Sequence, residues 1–246
     1  KNKKREINQI LRAIYRKKKK DLNEIEKEIL EKIGSKSSLT FIKGRINNIR
    51  FQKGQKDSFY QGIIRSHAYL DRIIDEFKEA GLPIALGYLP HVESSFNYKA
   101  YSKVGAAGIW QFTRATGRRF LKINYVLDER RDPIIATKAA IKLMKQNYKM
   151  LGAWPLAITA YNHGPSSLVR ASRKLNTKNI ETMIDRFKGR RFGFASKNFY
   201  TCFIAATEVA LNERKYFGTP PKQKPLEFKE ITLKKGYTFN QLRKAT

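Results

Sequence analysis

Several features are missing from this sequence of 246 residues, and each absence excludes a class of protein. Its single cysteine, Cys202, excludes an intrachain disulfide, and the apolar run TCFIAA around it predicts a buried, unreactive thiol. No apolar run approaches the roughly 20 residues that cross a bilayer as a helix. The chain opens at Lys1 without a Met or an apolar signal region, which is typical of a processed or trimmed protein.

Acidic residues are scarce as well, since 21 Asp and Glu stand against 51 Lys and Arg, and the net charge is +30. Such an excess favours attraction to a polyanion: nucleic acid, an anionic membrane surface or an acidic cell-wall polymer. Residues 1–60 carry 18 basic and 7 acidic residues, 165–246 carry 18 and 6, and 61–164 carry 15 and 8. We interpret the flanks as adhesive and the middle as the place of chemistry, although a broadly solvated surface gives the same pattern.

Helical spacing of apolar residues dominates the sequence, and the predicted fold class is mainly α. A long helix is predicted over residues 5–33, followed by an irregular arm over 35–62 that wraps the body. Pro83 opens a helix that carries Glu93 near its end. The remaining helices are predicted over 66–80, 109–120, 134–151, 154–163, 166–175, 180–187 and 196–213.

Three parts are predicted along the chain. Residues 1–62 form a basic N-terminal helix and arm, 63–217 form the compact body, and 218–246 form a tail. Pro220, Pro221 and Pro225 mark the exit from the body. The tail alternates weakly in hydrophobicity and is interpreted as a short strand or as the start of a further module.

The segment Gly81–Gln111 contains one carboxylate, Glu93, which follows an apolar run. Desolvation at such a place disfavours the charged form, so Glu93 is a candidate proton donor. The alternative is a helix-terminal Glu that pairs with a nearby Lys.

Other reaction chemistries find little support. His91, Glu93 and His163 suggest a metal, but neither the zinc-deaminase pattern nor HExxH is present. Nothing near Cys202 in sequence would activate it as a nucleophile, and Gly105–Gly108 lacks the lysine of a phosphate loop. We therefore predict no metal site and no cofactor.

Aromatic and amide residues follow Glu93 in a pattern typical of a sugar-binding cleft, with core packing as the alternative for each aromatic. They are Trp110, Gln111, Tyr161, Asn162 and Tyr200, with Phe96 and Tyr101 beside Glu93.

Three motifs occur in order: Glu93-Ser94, then GAAGIWQ over 105–111, then Ala160-Tyr161-Asn162 with Gly164. The ordered set resembles the lytic transglycosylases of the goose-lysozyme-like fold, which cleave bacterial peptidoglycan. The likeness is closest to the membrane-bound D-type branch. Segments 50–54, 129–133 and 192–200 resemble this branch too, so the likeness covers about residues 45–210.

The resemblance implies a lysozyme-like catalytic domain in the compact body, and it implies roles for matching residues. Glu93 matches the catalytic acid and base. Ser102 matches a hydroxyl that hydrogen-bonds near that carboxylate, and Gln111 matches an amide at the substrate cleft.

The later motif residues also match cleft positions. Tyr161 and Asn162 match residues that position the N-acetyl group of the sugar, and Tyr200 matches an aromatic hydroxyl facing the catalytic Glu. The chain departs from some relatives at Thr113, where they have Met, and from others at Ser196, where they carry Glu.

The implied activity is non-hydrolytic cleavage of the MurNAc–GlcNAc β-1,4 bond of peptidoglycan glycan strands, which leaves 1,6-anhydro-MurNAc ends. The alternatives are a muramidase-type hydrolase on the same fold and a non-catalytic peptidoglycan-binding protein. The expected place is the periplasm or cell envelope, with electrostatic contact to an anionic wall or membrane surface. No specific nucleic-acid partner is predicted.

Overall fold

The computed structural model describes residues 2–49, 54–227, 236–238, 240–241 and 243. The chain divides into two compact units, residues 1–55 (the N-terminal unit) and 56–246 (the main unit). The boundary predicted after residue 62 falls inside the first helix of the main unit, Lys56–Ser66. Most of the predicted strand region after residue 226 lies outside the described residues. Among the helices described, none is both long and apolar enough to cross a bilayer.

The N-terminal unit packs short helices around Leu11, Ile14 and Ile42, which are buried. They are α1 (Asn2–Arg16), α2 (Glu24–Lys32) and α3 (Leu39–Arg45). The chain does not continue as one helix over residues 5–33, because it turns through left-handed backbone between α1 and α2. Asn23 then starts α2 by forming a reciprocal capping box with Glu26.

The main unit is helical, and its described residues contain isolated β-bridges but no strand. Residues Ile84–Tyr88 and Glu129–Arg131 form 3-10 turns. The helices are α4 (Lys56–Ser66), α5 (Leu70–Glu79), α6 (Pro90–Glu93), α7 (Arg114–Gly117), α8 (Pro133–Leu151), α9 (Trp154–His163), α10 (Pro165–Leu175), α11 (Ile180–Arg186), α12 (Phe194–Leu211) and α13 (Glu213–Phe217).

Helix α8 is the centre of the main core, and it begins and ends where the sequence predicts. The Asp132 carboxylate accepts hydrogen bonds from the N–H groups of the first turn, and Gly152 ends the helix in left-handed backbone. Small buried residues of α8, among them Ala136 and Ala140, allow the surrounding helices to approach closely. Helices α5 and α9 pack against it.

The segment between α6 and α7 is a compact loop that a buried arginine holds in shape. Arg130 is fully buried, and its guanidinium donates to both carboxylate oxygens of Asp128 at 2.8 and 2.6 Å. It also donates to the carbonyl oxygens of Gly105 (2.7 Å) and Phe112 (3.0 Å), which lie at opposite ends of the GAAGIWQ motif. One cation therefore closes the loop that carries the central motif.

The structure corrects several local predictions. The arm predicted as irregular over 35–62 contains α3 and most of α4. Pro83 begins a 3-10 turn, and the helix that carries Glu93 begins at Pro90 instead. Only Arg114–Gly117 is helical within the helix predicted over 109–120. The chain forms a bridge between Ala107 and Phe112 instead, and Gln111 adopts left-handed backbone. Cys202, predicted to be buried, is exposed because it lies on the outer face of α12.

Gly108 lies in this loop with a φ of +77°, and a Cβ there would overlap the carbonyl oxygen of Arg130. We expect Gly108→Ala to lower the free energy of unfolding by about 3 kcal/mol or more, because buried backbone must move. Gly81→Ala is the matched control, since Gly81 also has a positive φ but open space around it. It should lose only about 1 kcal/mol. Equal losses of unfolding free energy for the two variants in urea denaturation would contradict the close approach of Gly108 to the Arg130 backbone.

Candidate active site

Glu93 is the last residue of α6, a short helix that Pro90 begins immediately after the apolar 3-10 turn. Leu89 and Phe96, on either side of it in sequence, are fully buried in the main core. The Glu93 side chain itself keeps partial exposure to solvent. The local fold thus places one carboxyl group at the surface of an apolar core, where a ligand can reach it.

Burial raises the pKa of the Glu93 carboxyl group to about 8. Protein atoms surround the group closely enough to remove most of its hydration, and desolvation is the one cause of the shift. Among the described residues, no side chain donates a hydrogen bond to this carboxylate. The neighbouring Lys99 points to solvent, where its ammonium lies over the ring of Tyr98. Glu93 therefore retains its proton at neutral pH.

The serines beside Glu93 fix the surrounding backbone. Ser94 donates a hydrogen bond of 2.9 Å to the carbonyl oxygen of Ile109, which ties α6 to the central motif. Ser102 accepts a hydrogen bond of 3.0 Å from the N–H of Ala106 across the base of the same loop. Its hydroxyl forms no hydrogen bond with Glu93 among the described contacts.

Tyr161 of α9 links the central motif to Glu93. Its hydroxyl donates to the carbonyl oxygen of Trp110 at 2.7 Å. Burial, and then the nearby charge of Glu93, raise the pKa of Tyr161 well above its ordinary value. The electrostatic effect places the two side chains near each other. Gln111 turns its amide back onto its own loop and donates to the carbonyl oxygen of Gly108 at 2.9 Å.

Asn162 is exposed, but a relay of two other side chains orients its amide. The Ser196 hydroxyl donates to Asn162 Oδ1, and His163 Nδ1 lies 3.2 Å from the same hydroxyl. Burial lowers the pKa of His163, so its ring is neutral at neutral pH. A hydroxyl has one proton, so His163 must donate from Nδ1 when Ser196 donates to Asn162. The Asn162 N–H groups remain available to a ligand.

Tyr200 lies on α12, which packs against α6 and α9. It is partly buried against the main core, and its ring stacks with Phe203 at a centroid distance of 6.5 Å. No hydrogen bond joins Tyr200 and Glu93 among the described residues. The structure therefore brings Glu93, Tyr161 and the central motif together and places Tyr200 on a helix that packs against α6.

His91, considered for metal binding, is a core residue. It is buried between aromatic rings, 5.1 Å from Phe59 and 4.5 Å from Phe96 by centroid distance. Burial lowers its pKa to about 3, so the ring is neutral. Within the described part of the chain, no three metal-binding side chains of His, Cys, Asp or Glu converge.

Sequence reasoning missed the supporting residues of the site. Ser196 was noted only as a departure from relatives, and nothing local indicates that it meets Asn162, 34 positions away. Arg130 gave no signal, because a charged residue within a charged run predicts exposure. Its partners lie 18 and 25 positions back along the chain.

Comparison with known proteins identifies a family and relatives that the chain resembles. Residues 73–184 match the family described as Transglycosylase SLT domain. Over 176 residues, or 69% of the chain, the sequence is 31% identical to membrane-bound lytic murein transglycosylase D of Escherichia coli strain K12, and the protein of strain O6:H1 gives the same values. Over 116 residues, it is 38% identical to a protein of Alteromonas sp. strain M-1 named for tributyltin chloride resistance. That match covers 46% of this chain and 56% of the relative.

A helical domain that holds one desolvated carboxyl group at the end of a short helix is of the lysozyme-like class. Within this class, residues 73–184 match the Transglycosylase SLT domain, and the chain is similar to a membrane-bound lytic transglycosylase of the D type. The chain spans 38% of the length of the Escherichia coli relatives.

The raised pKa of Glu93 makes a prediction about stability. Because its folded pKa of about 8 exceeds the ordinary 4.5, the folded state loses stability as pH rises between these values. Glu93→Gln removes the ionisable group. Its free energy of unfolding should match that of the wild type near pH 4 and exceed it at pH 8 by on the order of a few kcal/mol.

Urea denaturation over a pH series measures this difference. Glu79→Gln is the control, since Glu79 is exposed and the substitution also removes one carboxyl group. Its stability should follow the wild type at every pH. Parallel profiles for Glu93→Gln and the wild type would show that Glu93 is not desolvated.

Proposed function

We propose that this chain is a peptidoglycan lytic transglycosylase, which cleaves the MurNAc–GlcNAc β-1,4 bond without water and leaves a 1,6-anhydro-MurNAc end. The observation that carries the proposal is Glu93, a carboxyl group protonated at neutral pH on which no second carboxylate of the described residues acts. Ordinary glycosidases need two carboxylates, whereas this reaction needs one that serves twice.

In the first step, Glu93 gives its proton to the glycosidic oxygen, and the bond from that oxygen to C1 of MurNAc breaks. The N-acetyl oxygen of the same sugar stabilises the electron-poor C1. Asn162 supports this role, because Ser196 holds its carbonyl oxygen and leaves its N–H groups to orient the N-acetyl group.

In the second step, the ionised Glu93 takes the proton of the C6 hydroxyl, and the C6 oxygen bonds to C1 to close the anhydro ring. The proton count is restored, and water is not consumed. The nucleophile belongs to the substrate, so its effective concentration reaches about 10⁵ M in favourable geometries. The desolvated surroundings of Glu93 disfavour its charge, which assists this return of a proton.

A muramidase-type hydrolase is the second candidate, since water in place of the C6 hydroxyl would use the same acid. A non-catalytic peptidoglycan-binding protein is the third. The pKa of Glu93 favours an enzyme over a binding protein, because desolvating an unpaired carboxyl group costs stability and serves no binding purpose.

The excess of positive charge suits an insoluble, anionic substrate. Lys and Arg on the flanks would hold the protein at peptidoglycan or at an anionic membrane surface. The proposed place of action is the periplasm or cell envelope. We retain the division into 1–62, 63–217 and 218–246 as part of this proposal, with the catalytic domain in the middle.

The role of Glu93 is tested by digesting purified sacculi with the wild type and Glu93→Gln. The variant should lose at least about 10³-fold in rate, because an amide cannot donate and then accept the proton. Mass spectrometry of the wild-type products should show anhydro ends, whereas hydrolysis products are heavier by one water molecule. A folded variant with near-normal activity would exclude Glu93 as the acid.

Ser196 is proposed as a positioning residue for Asn162. Ser196→Ala should lower kcat/KM about fivefold to tenfold, the effect of about one hydrogen bond in the transition state. Combined with Asn162→Ala, it should have no further effect, since the group that it orients is gone. Additive losses in this double-mutant cycle would contradict the role.

Ser196→Thr is the matched control, because it keeps the hydroxyl and should keep most of the activity. Thermal unfolding of all four variants, the double variant included, separates a catalytic effect from a loss of fold. Ser196 is only 6% exposed, so this measurement is needed.

A further inference from the structure

A cavity of about 900 Å³ lies beside the C-terminal end of α9, and its lining contains cationic side chains but no carboxylate. Glu181 and Asp185 of the nearby α11 do not line it. Its cations come from α10, the end of α11 and the segment before α12: Arg170, Lys174, Arg186, Lys188, Arg190 and Arg191.

These cations are available to a ligand, except that Lys188 donates a hydrogen bond of 2.8 Å to the carbonyl oxygen of Asp185. Within the described residues, none of them forms an ion pair with Asp or Glu. All six are exposed, and like charges gathered on one wall repel one another. An anion entering the cavity would relieve that repulsion and accept several charge-assisted hydrogen bonds.

The serines of α10 add neutral donors to the same wall. Ser166 and Ser167 line the cavity near the start of the helix. The Ser167 hydroxyl oxygen is buried and has no hydrogen-bond partner in the described part of the chain. A buried hydroxyl without a partner indicates that a ligand or water normally satisfies it.

The cavity is next to the sugar position that the proposed function assigns. His163 and Gly164 are part of its wall, and they directly follow Asn162. In MurNAc, the N-acetyl group is on C2, and the adjacent C3 carries the lactyl ether to which the peptide stem is attached. A stem on a sugar held by Asn162 would therefore start close to the residues that form this wall.

We propose that this cavity binds the free carboxylates of the peptide stem on the MurNAc at the cleavage point. The inference rests on the proposed function and adds a specificity determinant to it: the enzyme distinguishes strands that carry anionic stems from strands that do not. Arginine suits this role because its planar guanidinium binds a carboxylate through two parallel hydrogen bonds.

Binding is measured first, in the Glu93→Gln background, so that the strands stay intact. The probes are labelled glycan strands with stems, strands stripped of stems by an amidase, and strands whose stem carboxylates are amidated. Stem-bearing strands should bind about tenfold more tightly than either of the others. Adding Arg170→Gln, Arg190→Gln and Arg191→Gln should abolish this difference.

The control removes the same charge elsewhere, with Lys142→Gln, Lys145→Gln and Lys149→Gln on the exposed face of α8. It should keep the preference for stems. If the two triple variants behave alike, the cavity is not the stem site and the proposal fails. A phosphate-bearing wall polymer that competes fully, while stem removal changes nothing, would equally overturn it.

Cleavage by proteins with Glu93 intact separates this inference from the proposed function. The ratio of kcat/KM on stem-bearing and stem-free strands should fall about tenfold in the cavity variant and stay unchanged in the control. Cleavage of both substrates with an unaltered ratio would refute the stem site alone. No anhydro product from either substrate would refute the proposed function, while the binding measurement remains interpretable.

Discussion

The carboxyl group of Glu93 is largely desolvated, although its side chain keeps partial exposure, and it receives no compensating hydrogen bond from the described residues. The site is arranged around this constraint. Its charged form is disfavoured by desolvation, so the group is a proton donor at neutral pH. The short helix α6 sets the carboxyl group at the rim of the main core, with Leu89 and Phe96 buried on either side of it in sequence. A longer, more exposed helix would have hydrated it.

Arg130, in the same unit, is also buried, but unlike Glu93 it has hydrogen-bond partners that compensate the loss of water. Its guanidinium is removed from water completely, but Asp128 and two carbonyl oxygens satisfy it. In turn, the hydrogen bond from Arg130 holds the pKa of Asp128 below its ordinary value. A compensated charge of this kind fixes geometry, whereas an uncompensated acid is reactive. The loop between α6 and α7 needs the fixed geometry, and the proposed role of Glu93 needs the reactivity.

The sequence predicted those parts of the fold that local chemistry determines. Asp132-Pro133 and Gly152 bounded α8 correctly, because an N-cap and a left-handed glycine act within one turn of the helix. The end position of Glu93 followed from the apolar run before it. The helix predicted over 109–120 failed, since the periodicity there reflects burial of Trp110, whose indole N–H donates to Thr137, 27 positions away. Contacts of that range override local propensity.

The candidate site divides along the same line. Motif residues such as Tyr161 were found from sequence, while the relay from His163 through Ser196 required the structure, because two helices must meet to form it. The same limit applies to the cationic cavity. Its residues were visible in the sequence as a basic flank, but the sequence did not predict that they line one cavity.

The large positive charge of the protein favours an ionised carboxylate, whereas Glu93 is protonated at neutral pH. Nearby cations stabilise a carboxylate and lower its pKa, so a protein of net charge +30 would be expected to ionise Glu93. Solvent-exposed charges are screened beyond about 8 Å at physiological ionic strength. Lys99, close in sequence, directs its ammonium over Tyr98, and desolvation is the one cause that shifts the pKa of Glu93. A surface that attracts anions can therefore coexist with a neutral Glu93.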